Sequence, residues 1–76
     1  MKNVSNLDIK ELIQKCGILT QNLQDDISLD DQGVDSLDKA NLFLHIEETF
    51  NIKISTDEFI ELNTIDKITK HINQML

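Results

Sequence analysis

Ser36 is the residue of this chain whose surroundings best suit chemistry. It stands in Gly33-Val34-Asp35-Ser36-Leu37-Asp38, at the end of an acidic stretch and at the head of a segment with helical apolar spacing. Asp35 is a good N-cap, so the pattern predicts a helix that starts here and runs to about Phe50, with the Ser36 hydroxyl on its first turn. A phosphodiester on that hydroxyl would meet the positive end of the helix dipole and free backbone N–H groups. Gly33 permits a sharp turn just before it and leaves room for a modifying enzyme. The plainer account of Asp35-Ser36 is a helix start with no chemistry attached, because both are ordinary cap residues.

Other chemistries fit less well. Serine nucleophile catalysis needs a base and an oxyanion hole, and no recognisable motif positions His45 or His71 to serve as that base. Both histidines read as surface or boundary residues. An EF-hand loop with Gly33 at its sixth position would put Lys39 at the twelfth, where a bidentate Glu is required. That excludes an EF-hand and leaves no specific metal site, only loose attraction of divalent ions by clustered aspartates. Cys16, the lone cysteine, falls on an apolar stripe and is expected to pack as a small hydrophobe.

The elements that would position Ser36 follow from periodicity. Ser5-x-x-Asp8 has the form of a capping box, after which Ile9, Leu12, Ile13 and Cys16 recur at helical spacing until Gly17 stops the helix. Residues 18–35 form a long loop, with Ile18, Leu19, Leu23, Ile27 and Leu29 expected to tack it to the core and a short turn expected near residues 20–26. Loops of this length in compact domains are usually functional. On the second helix, Leu42, Phe43, Ile46 and Phe50 share one face at 3.6 residues per turn. Leu37, Ala40 and Leu44 form a second stripe nearly opposite, flanked by Glu47 and Glu48. Only one of these faces can belong to a simple core, so the second reads as an interaction face, and an acidic interaction module that is never modified is an alternative to a chain modified at Ser36. A short helix should follow Ser55, with Glu58 three residues on and Phe59 and Leu62 turned inward. A last helix from Thr64 places Ile65, Ile68, Ile72 and Met75 inward. The expected architecture is an all-α bundle of three longer helices and one short one, in a single domain spanning residues 1–76.

Composition narrows the partners. Fourteen acidic residues face seven lysines, arginine is absent, and the net charge is −7. Asp25, Asp26, Asp30, Asp31, Asp35 and Asp38 crowd a stretch in which residues 16–38 hold no lysine. Nucleic acid is excluded as a direct partner, because phosphate contacts need Lys and Arg, and basic protein surfaces are favoured. No apolar run approaches the roughly 20 residues that span a bilayer, so membrane insertion is not expected. The unpaired cysteine and the lack of a signal peptide suit a reducing cytoplasm, where the chain is expected to reside, and a monomer is expected.

Two blocks carry a family resemblance over nearly the whole chain. Gly33-Val34-Asp35-Ser36-Leu37-Asp38 resembles the G-x-D-S-L-D signature of acyl carrier proteins, and Ile46-Glu47-Glu48-Thr49-Phe50-Asn51-Ile52-Lys53-Ile54 resembles its L-E-E-x-F-x-x-x-I continuation. The resemblance implies a non-catalytic carrier whose Ser36 bears 4′-phosphopantetheine, donated by coenzyme A through a phosphopantetheinyl transferase. It further implies that acyl groups travel on this arm to the acyl-transfer, condensing or modifying enzymes of fatty-acid biosynthesis, or of a specialised polyketide, nonribosomal peptide or lipid-modifying pathway. Asp35, Asp38, Glu47 and Glu48 would meet basic patches on these partners, with Leu37, Ala40 and Leu44 as the apolar centre and Asn41 standing where an acid is usual. In related carriers the acyl chain enters the helical interior, which maps here onto Lys39, Leu42, Phe43, Ile46, Phe50, Phe59, Leu62 and Ile68. Lys39 would sit at the mouth, with its stem lining the entrance or its ammonium obstructing it. Gln32 stands where an apolar residue usually precedes the glycine, and Ser55 where many members have proline.

Overall fold

Each helix begins at a short polar side chain that takes one of the backbone N–H groups a first turn leaves unpaired. Ser5 and Asp8 close a capping box on α1 (Asn6–Lys15), and Ser55 and Glu58 close another on α3 (Thr56–Glu61). Asp35 caps α2 (Ser36–Phe50) by accepting the Asp38 N–H, and Thr64 caps α4 (Ile65–Met75) by accepting the Lys67 N–H. These elements belong to a computed structural model that describes residues 3–18 and 22–76. No strand occurs among the described residues, and the fold is the expected all-α bundle of three longer helices and one short one.

Aliphatic side chains hold the bundle together. Ile9 and Ile13 of α1, Leu42 and Ile46 of α2, and Ile65, Ile68 and Ile72 of α4 are sealed from solvent. α1 packs against both α4 and α2. α3 contributes the half-buried Phe59 and ends at the buried Leu62. The N-terminal segment is tied to the last helix by the Asn73 amide, which exchanges two hydrogen bonds with the Val4 backbone.

The long α1–α2 connection is anchored firmly enough to position Ser36. Leu29 and Val34 are fully buried. The Leu29 N–H donates to the Asn63 carbonyl at 2.8 Å, and the Asp66 N–H donates to the Asp25 carbonyl at 3.0 Å. The Asn6 amide donates to both Asp25 and Asp66, and Lys10 pairs with Asp25 at 2.8 Å. The Lys10 and Asn6 contacts hold the Asp25 carboxyl below its ordinary value. Loop, α1 and the start of α4 are thus one hydrogen-bonded unit.

Several expectations for this region need correction. The helical turn of the loop is a 3₁₀ segment at Asp30–Gln32, later than expected, although residues 25–26 do form a plain turn. Ile27 is exposed instead of tacking the loop down, because Leu29 and Val34 fill the available core. Met75 is also exposed: the stripe of α4 leaves the bundle after Ile72. By contrast Cys16, the half-buried C-cap of α1, packs against the core as a small hydrophobe, as its spacing implies. Leu19 and the first part of the expected turn lie outside the described residues.

Candidate functional site

Ser36 is the first residue of α2, exposed, with Asp35 in extended backbone before it. The Asp35 carboxylate takes the Asp38 N–H at 2.8 Å. As first-turn groups, the N–H groups of Ser36 and Leu37 have no partner within the helix. An accessible hydroxyl beside unpaired N–H donors at a dipole's positive end suits a covalently held phosphodiester. The approach is shaped by Gly33, whose φ of 91° few side chains tolerate.

Two faces diverge from this serine. Outward, Leu37 is 72% and Leu44 57% exposed, with Ala40 half-buried between them. Asp35, Asn41 and Glu48 are exposed and Asp38 half-exposed around this stripe. Glu47 differs from its neighbour: its carboxylate accepts the Ile54 N–H at 2.8 Å and so fastens the α2–α3 connection.

Inward lies Lys39, on the core side of α2. It is only 6% exposed, as deep as the hydrophobic core around it. Its Nζ lies 3.4 Å from Asp30 of the 3₁₀ turn and 5.5 Å from the centre of the Phe59 ring. Phe59 in turn meets Phe43 edge to face, with ring centres 5.0 Å apart at 78°. Lys39 therefore joins three elements: its own helix, the loop and α3.

An open groove of about 260 Å³ runs between α2 and α3, lined by Ala40, Phe43, Leu44, Glu47, Ile54, Ser55, Thr56 and Phe59. Ser36, Ala40 and Leu44 are spaced four residues apart, so the groove lies along the face that begins at the serine. Of the expected acyl-lining set, Phe43 and Phe59 are here. Leu42, Ile46 and Ile68 are sealed core residues that open onto no groove. Phe50 borders a separate depression with α1, and Leu62 one between α3 and α4. Ile54 and Thr56 were not singled out; Ile54 closes the second signature block, and its position there was the available signal.

The remaining candidates show no second chemical centre. Burial pushes the Cys16 thiol up, with the Asp38 charge adding to it, which disfavours the thiolate. His45 is exposed. His71 Nε2 approaches Glu58 Oε2 at 2.8 Å, although without hydrogen-bond alignment. Among the described residues, no group of three His, Cys, Asp or Glu is placed to hold a metal. No described helix is long and apolar enough to cross a membrane. Of the three departures from the family pattern, those at Gln32 and Ser55 are locally explained. Gln32 donates its amide to the Gln24 and Ile27 carbonyls, stapling the loop where an apolar residue would pack, and Ser55 caps α3.

Comparison with known proteins agrees with this geometry. The family described as phosphopantetheine attachment site matches residues 9–72. An acyl carrier protein of Buchnera aphidicola subsp. Acyrthosiphon pisum (strain Tuc7) is 38% identical over 68 residues, covering 88% of this chain and 85% of that protein. Another from Buchnera aphidicola subsp. Schizaphis graminum (strain Sg) is 40% identical over 75 residues, covering 96% and 94% respectively. No solved structure gives a significant match. The chain belongs to the acyl carrier protein family, whose members are non-catalytic carriers with a covalently attached 4′-phosphopantetheine.

Proposed function

We propose that Ser36 is the attachment point and that the chain carries acyl intermediates of fatty-acid biosynthesis in the cytoplasm. The observation that carries this reading is the exposed Ser36 hydroxyl on the first turn of α2, inside the signature and next to unpaired N–H groups. On a phosphopantetheinyl transferase, the Ser36 oxygen forms a bond to the phosphorus of coenzyme A. Adenosine bisphosphate leaves, and the hydroxyl proton passes to the transferase. Once attached, the arm supplies the thiol that holds an acyl group as a thioester. The chain itself presents the arm, keeps the adjoining helix rigid and displays a docking face. Leu37, Ala40 and Leu44 form the apolar centre of that face, and Asp35, Asp38, Asn41, Glu47 and Glu48 form its rim. Enzymes with basic patches are its partners, drawn in by the net charge of −7. The groove between α2 and α3 is the place for the first part of a cargo chain, because it starts one turn from Ser36.

A second reading, a dedicated carrier for a specialised pathway, is favoured by the buried Lys39 and by Asn41 on the docking face. The two readings share the loading step. Incubation with coenzyme A and a promiscuous transferase should add one phosphopantetheine mass to the wild-type chain and none to Ser36→Ala. A wild-type chain that never gains this mass overturns the carrier reading.

A further inference from the structure

We propose that Lys39 is a specificity-determining residue that sets how far a cargo chain can enter, stopping long acyl chains at the Phe43–Phe59 floor of the groove. The proposal rests on Ser36 as the attachment point and on the groove as the cargo site.

The route inward is defined by helix geometry. Ser36, Ala40 and Leu44 lie on the outer side of α2, and Phe43 forms the floor of the groove with Phe59. Lys39 and Phe43 are four residues apart and share the next face inward, together with Leu42 and Ile46. Anything passing the floor toward the core must therefore displace Phe59 or run alongside Lys39. Phe59 packs over the ammonium, with its ring centre 5.5 Å from Nζ.

The charge makes that passage unfavourable. Lys39 is 6% exposed and its ammonium has three donors, yet among the described residues one acceptor is close, Asp30 at 3.4 Å. A buried ammonium with so few partners depends on the carboxylate and the ring face together. An alkyl chain pushed into this space would replace one of them with methylene groups and leave the charge less compensated. The same chain lying in the outer groove meets Ala40, Leu44 and Ile54 and disturbs nothing. Short acyl groups gain apolar burial in full, and each methylene beyond the floor stays in water.

The test loads wild type, Lys39→Met and Lys39→Arg with butanoyl, octanoyl and dodecanoyl arms from the corresponding acyl coenzyme A. Intact mass is read first, then the melting temperature of each form against the bare-arm form. In wild type and Lys39→Arg the increment should level off after the shortest chains. In Lys39→Met, which keeps the length and removes the charge, it should keep growing with chain length. Methyl NMR of the wild type supplies a readout that needs no variant: octanoyl should shift Ile54 and Leu44, and leave Leu42, Ile46 and Ile68 in place. Absence of loading would overturn the carrier reading and this inference with it. Successful loading overturns this inference alone if the wild-type increment grows through dodecanoyl as in Lys39→Met, or if octanoyl moves the core methyls.

Discussion

Asp35 and Ser36 are neighbours with separate duties. Asp35 closes the first turn of α2, and in doing so leaves the Ser36 hydroxyl free. Replacing Asp35 by Ala should cost about 1 kcal/mol, a fall of roughly 4–8 °C in melting temperature for a domain of this size. Calorimetry checks it, and the hydroxyl should remain available for loading. Glu47 and Glu48 invite a similar distinction. Both are acids in the second signature block, but Glu47 holds the Ile54 N–H, whereas Glu48 is exposed and makes no hydrogen bond or ion pair through its side chain among the described residues. Glu48→Lys should slow transfer to a partner enzyme at low salt with an unchanged melting temperature, since rim charges act mainly on association rate. Glu47→Lys should do the same and also melt lower, because it frees the α2–α3 connection. Equal melting temperatures for the two variants would show that the Glu47 hydrogen bond contributes nothing.

Two elements, α3 and the loop, depend on carboxylates that are ionised. The Ser55 backbone N–H and hydroxyl hold the Glu58 carboxyl below its ordinary 4.5, and Lys10 with Asn6 holds Asp25 below 3.8. Folded values lower than unfolded ones mean a contribution that is complete above these ordinary values. It is lost as pH falls through them toward the depressed folded values. Melting temperature should therefore decline on the acid side below about pH 4.5, and the decline should be shallower in Glu58→Gln. A local rule made these elements readable from sequence: the Ser5-x-x-Asp8 and Ser55-x-x-Glu58 boxes form as the spacing implies. The same holds for the core stripe of α2 and the exposed second stripe, which follow from period alone. What periodicity could not show is which apolar loop residue wins a core position. Leu29 and Val34 win and Ile27 loses, because the Asn63 carbonyl and the 3₁₀ turn set the loop's register through long-range contacts. The position of Lys39 was visible as a helical angle, but its partners Asp30 and Phe59 come from other elements.

At the scale of the whole molecule, charge and size act together. A chain of 76 residues carrying −7 folds around one aliphatic core, with principal extents of 31 × 24 × 21 Å. Its acidic stretch is partly compensated within the fold, with Asp25 paired to Lys10, Asp30 to Lys39 and Asp35 to a backbone N–H. The remaining repulsion among these aspartates predicts that added salt stabilises the fold by screening. Magnesium and sodium salts at matched ionic strength should then raise the melting temperature equally, whereas a larger magnesium effect would reveal a site. In the proposed function all of this serves the presentation of one hydroxyl, and peptide mapping of the loaded protein tests that most directly. After incubation with coenzyme A and a transferase, the phosphopantetheine mass should lie on Ser36 and on none of the other hydroxyls, including Ser28, Ser55 and Thr56. Modification at any of those residues, or loading that persists in Ser36→Ala, would contradict the assignment.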